Sequence, residues 1–284
     1  MILRAGEREI RFPRRPMIMG IVNINDDSFA GDGSLDIEQA LDLARSHVAE
    51  GADIIDVGGE SARTNRLEIG EDEELARILP FVKRFGEIEG TPVDENQLYP
   101  PLLSINTWRA KVAAGALGAG GQILNDLSAL PFDQNARIAA RHGAALLIMH
   151  SVGLPKQKQT HVFYQDVLGT IDTFFEKKID FAMAAGLERT AIILDPGIDF
   201  AKQRLDNLLI FRYLDRLNRF ERPVLLPVSR KTVIGETLGI PDPQKRDAGT
   251  VACVIAGLLR GASIFRVHNV HAVSQALRVA FQCQ

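Results

Sequence analysis

Polar side chains stand at the ends of eight apolar runs in this chain. They are Asn23; Asp56, close to Gly58, Gly59 and Glu60; Asn106; Asn125 with Asp126; His150; Asp195; Ser229-Arg230-Lys231; and Arg266 with His268. Taken singly, an Asn or Asp in such a place caps a helix or satisfies loop backbone. All eight ends together point to one shared ligand site. The residue types describe the ligand. A carboxylate such as Asp195 accepts two parallel N–H bonds from an amino-pyrimidinone edge, as it does from arginine. Lys231 can donate to a ring carbonyl or nitrogen, and its place directly after an apolar run sets it apart from a solvated lysine. Arg266, His268 and Asn23 suit a diphosphate, and Asn23 offers an oxygen to Mg2+. The six histidines form no HxxxH or HxH pair, so no zinc site is expected. There is no GxGxxG after a strand, no Walker A sequence and no GxSxG elbow.

The elements that must position these residues alternate along the chain. Short runs rich in β-branched residues predict strands at 17–23, 53–58, 102–106, 122–126, 145–150, 191–195, 223–229 and 263–268. Amphipathic stretches between them predict helices at 36–50, 71–85, 109–119, 133–142, 167–185, 206–220, 248–260 and 270–280. Glycine follows several of these stretches, as at Gly51, Gly120, Gly143, Gly186 and Gly261, which is the expected C-terminal stop. The strand runs are apolar almost throughout, as in strands covered on both faces. Eight β-then-α units predict a single-domain α/β protein, a TIM (β/α)8 barrel over 17–284, with a doubly wound open sheet as the alternative. Residues 1–16 are expected to form a small cap on the barrel bottom, and 86–101, with three prolines, an inserted loop. Chemistry in such a barrel gathers at the C-terminal strand ends, where the polar residues stand.

Composition narrows the class further. The chain has 284 residues, 46% of them hydrophobic and 24% charged, enough apolar surface for a large core. Its net charge of −3 lacks the basic surplus of a general nucleic-acid binder, yet allows a local basic pocket for a small anion. Two cysteines, Cys253 and Cys283, give neither a disulfide framework nor zinc-ligand spacing. No apolar run is long enough for a membrane span, and the charged N-terminus lacks the apolar stretch of a signal peptide. A cytoplasmic protein acting on small molecules, with no nucleic-acid or membrane partner, is the expectation.

Several segments resemble the dihydropteroate synthase family in order and spacing. They are Met19-Gly20-Ile21-Val22-Asn23 with Asp27-Ser28-Phe29, and residues 51–61 (GADIIDVGGES). Further on come Asn125-Asp126, Met149-His150, Asp195-Pro196-Gly197-Ile198 with Phe200 and Lys202, Ser229-Arg230-Lys231 with Ile234-Gly235, and Arg266-Val267-His268. The resemblance runs from Met17 to about Val279. It implies a TIM barrel that joins 6-hydroxymethyl-7,8-dihydropterin diphosphate to 4-aminobenzoate, giving 7,8-dihydropteroate and diphosphate. By position it places Asn106, Asn125, Asp195 and Lys231 on the pterin ring, with Met149 and Phe200 against its faces. It places Asn23, Arg266 and His268 on the diphosphate with Mg2+, and Ser229 and Arg230 near the aminobenzoate carboxylate. Lys231, Asp27, Arg63 and Asn106 would be the catalytic group, and the protein would be a homodimer.

Three departures from the family pattern cluster around the chemistry. The first loop usually reads Asn-x-Thr-Pro-Asp-Ser-Phe and here reads Asn23-Ile24-Asn25-Asp26-Asp27-Ser28-Phe29. The second usually reads Glu-Ser-Thr-Arg-Pro-Gly and here reads Glu60-Ser61-Ala62-Arg63-Thr64-Asn65. The third strand usually ends Ser-Ile-Asp-Thr and here ends Ser104-Ile105-Asn106-Thr107, an amide in place of a carboxylate. A pterin-binding paralogue without synthase activity is therefore one alternative. A methyltetrahydrofolate-dependent methyltransferase is another, but it needs no diphosphate pocket and leaves Arg266 and His268 without a task.

Overall fold

The computed structural model describes residues 1–25, 33–61, 67–157 and 162–283. Two short strands, β1 (Ile2–Ala5) and β2 (Arg8–Arg11), form an antiparallel hairpin. Eight parallel strands follow: β3 (Met17–Asn23), β4 (Ile54–Gly58), β5 (Leu102–Asn106), β6 (Ile123–Asp126), β7 (Ala145–Met149), β8 (Ile192–Asp195), β9 (Leu225–Leu226) and β10 (Ile264–Val267). Their spatial order is β8-β7-β6-β5-β4-β3-β10-β9. A parallel bridge between Leu194 and Val224 joins the two edges, so the sheet closes as the TIM barrel expected. Helices α1 (Ile37–Glu50), α2 (Glu71–Arg84), α3 (Ala110–Gly118), α4 (Gln134–Arg141), α5 (Val167–Ala184), α6 (Arg204–Arg212), α7 (Thr232–Leu238), α8 (Asp247–Leu258) and α9 (Val270–Gln282) run between and after the strands.

Strand periodicity divides the core into two shells. Met17, Met19, Ile54, Leu102, Ile123, Leu147 and Ile264 point inward and pack together inside the barrel. Ile18, Val22, Ile55, Val57, Ile105 and Leu146 point outward, beneath the helices. Leu3, Ala5 and Ile10 of the hairpin join the inner shell, which places the hairpin across the N-terminal mouth. Helix ends follow local chemistry. Asp36 accepts N–H bonds from Glu38 and Gln39 at the start of α1. Gly51 ends that helix at φ 111°, a conformation that favours glycine.

Three elements differ from expectation. The strand expected over 223–229 is only Leu225–Leu226, because Pro223 and Pro227 have no N–H for the ladder. The helix expected over 206–220 is α6, which ends at Arg212, followed by a 3-10 segment over Leu214–Phe220. Helix α7 was not expected: Thr232, Val233, Ile234 and Gly235 make a poor helix former.

The hairpin's place in the inner shell carries a prediction. Leu3 is completely buried, so Leu3→Ala should lower stability by about 2–5 kcal/mol in denaturant unfolding. A loss under about 1 kcal/mol would show that the hairpin does not share the barrel core.

Candidate active site

A cavity of about 260 Å³ opens at the C-terminal ends of the strands. Asn23, Asn106, Asn125, Asp195, Ser229, Arg266 and His268 line it from the strand ends, and Phe200 and Lys231 from the loops beyond. The structure thus gathers nine of the candidate residues around one space. Asp27 and Arg63 lie outside the described residues.

Beside the cavity is a fully buried carboxylate, Asp56 on β4. It accepts from Ser104 Oγ at 2.6 Å and from Arg266 Nε at 2.7 Å. Asn125 Nδ2 lies 3.2 and 3.1 Å from its two oxygens, and Asn106 Nδ2 lies 3.4 Å from Oδ2. Asn106 and Asn125 are register partners on β5 and β6, so one carboxylate orients two adjacent amides. Asn125 spends its donor on Asp56. Its carbonyl Oδ1 is then a buried acceptor with no partner among the described residues, a place for a ligand N–H.

The end of β8 and the start of α7 supply the opposite charges. Asp195 is buried, and burial pushes its carboxyl up to about 6, against the pull of the Gly197 N–H at 2.7 Å and of Lys231. Lys231 is the N-cap residue of α7. Burial lowers its ammonium, which Asp199 and Asp195 partly offset. Its Nζ lies 4.5 Å from the centre of the Phe200 ring. On the β10 side, Ser229 Oγ accepts the His268 backbone N–H at 3.1 Å and lies 2.8 Å from His268 Nδ1.

Some candidates stand apart from the cavity. The Arg230 guanidinium is bonded to Asp247 at 2.8 and 3.1 Å. Met149 is completely buried in the inner shell, the cluster against which Phe200 packs. His150, another polar strand end, is buried; burial and Lys202 hold its imidazole down at about 3, so it is neutral. Asp56 was legible as a polar residue near a strand end, but no motif signalled its part in orienting the amides. Glu60 lines the cavity rim and binds Arg109 at 2.5 Å and Lys156 at 3.2 Å. Those partners lie far apart in sequence, with no spacing to reveal them.

The donor set limits what metal can sit here. Among the described residues no three His, Cys, Asp or Glu side chains group as metal ligands. Mg2+ typically keeps several waters and binds substrate phosphates with one or two protein oxygens. Asn23, at the end of β3 and on the cavity wall, fits that sparse role.

The family described as pterin binding enzyme matches residues 19–268. The dihydropteroate synthase of Synechocystis sp. is 36% identical over 280 residues, covering 98% of this chain and 93% of the relative. A Yersinia pestis dihydropteroate synthase, solved with a sulfonamide drug complex, superposes with a TM-score of 0.90 at 33% identity, covering 100% of this chain and 98% of that one. The Thermus thermophilus dihydropteroate synthase in complex with 4-aminobenzoate gives 0.86 at 32% identity, with 100% of both chains covered. The chain belongs to the pterin binding enzyme family and groups there with the dihydropteroate synthases.

Proposed function

We propose that the protein joins 6-hydroxymethyl-7,8-dihydropterin diphosphate to 4-aminobenzoate, giving 7,8-dihydropteroate and diphosphate. The observation that carries this reading is the buried Asn125 carbonyl, without a partner among the described residues, in one cavity with the Asp195 carboxylate and Lys231. The amino-pyrimidinone part of a dihydropterin has N–H groups for both acceptors and a ring carbonyl or nitrogen for the lysine. Asn106 adds hydrogen bonding on the same side, and the Phe200 ring forms a wall. Phe200 packs against the inner shell, to which Met149 belongs.

The reaction follows from these roles. The bond between the pterin methylene carbon and the diphosphate oxygen breaks, and its electron pair leaves with diphosphate. The methylene is left with positive charge delocalised into the ring. The amine of 4-aminobenzoate attacks that carbon, and the proton it gives up goes to the released diphosphate. Arg266 has committed Nε to Asp56, which turns its remaining N–H groups to the leaving group together with His268. Asn23 would hold Mg2+, which when bound supplies further positive charge to the diphosphate. Ser229 would meet the aminobenzoate carboxylate, and Arg230 would have to leave Asp247 to join it. Lys231 and Asn106 form the catalytic group with Asp27 and Arg63, which the sequence places between β3 and α1 and between β4 and α2.

Asn106 favours a second reading, a paralogue that binds pterin without synthase activity, because an amide holds less charge against the developing cation. The nearby Asp56 carboxylate supports the synthase reading instead, since it orients that amide at 3.4 Å and holds Arg266 at 2.7 Å for the leaving group. The same proposal makes the protein a homodimer. Exposed apolar side chains support this, among them Leu208 and Leu209 on α6, Leu259 after α8 and Val279 on α9. It also puts the protein in the cytoplasm, a reducing setting that suits two free cysteines. Among the described residues no helix is long and apolar enough to cross a membrane.

Two residues, Asp195 and Asp56, test the site. Ring binding needs the ionised form of Asp195, so affinity for the dihydropterin should fall as pH drops below about 6, approaching about tenfold per unit. Without ligand the sign reverses: the native carboxyl keeps its proton longer than the unfolded one, so the contribution of Asp195 to stability should fall as pH rises from 3.8 to about 6. Asp195→Ala should weaken binding at least about a hundredfold by calorimetry, and unchanged affinity would remove Asp195 from the site. Asp56→Ala leaves Arg266 and two amides without their acceptor. It should cost about 3 kcal/mol of stability in urea unfolding, and a cost under about 1 kcal/mol would contradict its central place.

A further inference from the structure

The turn between β8 and α6 carries two supports of the site. Phe200 is a cavity wall beside Lys231 Nζ. The Asp199 carboxylate accepts the N–H groups of Thr232 at 2.5 Å and Val233 at 3.3 Å, fastening the turn to α7 where Lys231 is the N-cap. Asn207 on α6 holds Asp199 in turn, through bonds of 2.9 and 3.0 Å.

The backbone of this turn is costly. Gly197, Asp199 and Ala201 have φ of 69°, 65° and 51°, and for Ala201 that conformation is unfavourable. Gly197 crosses so close to β7 that an added Cβ would lie 2.0 Å from the His150 carbonyl oxygen. Lys202 lies directly after the strained stretch and is buried. Its Nζ donates to the carbonyls of His150 at 3.1 Å, Gly197 at 2.9 Å and Phe200 at 3.0 Å. An ammonium has three donors and meets three acceptors here. A neutral amine has two, and its lone pair would face the third carbonyl.

We propose that Lys202 is a positioning residue for the pterin site: its ammonium ties the 197–201 turn to the end of β7, and so sets Phe200 and, through Asp199, Lys231. This rests on the reading of the cavity as the dihydropterin site. The charged and titratable groups around Lys202 are Asp195 on β8, Asp199 in the turn, Asp206 on α6, Lys231 at α7 and the neutral His150 after β7. Burial, with Lys231 adding to it, brings the Lys202 ammonium down to about 7.

Steady-state kinetics of Lys202→Met test this. KM for the dihydropterin diphosphate should rise about tenfold or more, with KM for 4-aminobenzoate changed less than about twofold, because Phe200 and Lys231, which the turn sets, are placed at the ring. An unchanged pterin KM, or an equal rise in both, would overturn the proposal. If that variant fails to fold, hydrogen exchange on the wild-type protein decides without any ligand. Corrected for intrinsic rates, protection over 197–202 should fall relative to the rest of the barrel between about pH 6 and 9. Unchanging relative protection would overturn the proposal. Wild-type protein that binds no dihydropterin would instead refute the reading of the cavity, a separate result.

Discussion

An ionised carboxylate buried without compensation costs several kcal/mol, so a protein that keeps one must surround it with donors. Asp56 is such a group, at the top of the barrel interior with no solvent exposure. Ser104, Asn106, Asn125 and Arg266, from three other strands, supply the donors. The strand ends are thereby locked together, and the donors choose their orientation for Asp56 before any ligand arrives. Among the described residues that leaves the Asn125 carbonyl unanswered and Arg266 with its Nε occupied. Binding and charge stabilisation both draw on this arrangement, since groups held in place need little reorganisation when a ligand binds or charge develops.

A second constraint works on the other side of the cavity. Phe200 and Lys231 sit on loops, which are ordinarily the less rigid parts of a barrel. Here the turn after β8 is fastened at both ends, by Lys202 to three carbonyls and by Asp199 to the first N–H groups of α7. The strand side of the site is rigid through a buried anion, and the loop side through a buried cation.

Most of the fold was legible in sequence because its signals are local and repeated. Apolar runs such as Ala145–Met149 read as strands covered on both faces, and Gly51 marked a helix end. The exceptions are places where local rules mislead. Pro223 and Pro227 curtail a run that is otherwise a good strand, and the packing of Val233 and Ile234 makes a helix of a sequence with low propensity. The site was legible as a set of polar strand ends, since Asn23, Asn106, Asn125, Asp195 and His268 need only a strand terminus to converge. What could not be read was direction. Arg230 and Lys231 are adjacent, yet Arg230 sits at φ 59° and turns to Asp247 while Lys231 lines the cavity. Contacts across the barrel, such as Asp56 with Arg266, have no signature in spacing.

The chemistry rests on whether this preorganised site serves bond cleavage as well as binding, with an amide at position 106. The measurement that addresses this most directly is diphosphate release by the purified protein, given Mg2+ and the dihydropterin diphosphate, with and without 4-aminobenzoate. The account predicts release that depends on 4-aminobenzoate and matches dihydropteroate formation one for one. Tight binding of the pterin with no release in either case would contradict it, and would make the protein a binder that kept the pocket without the reaction.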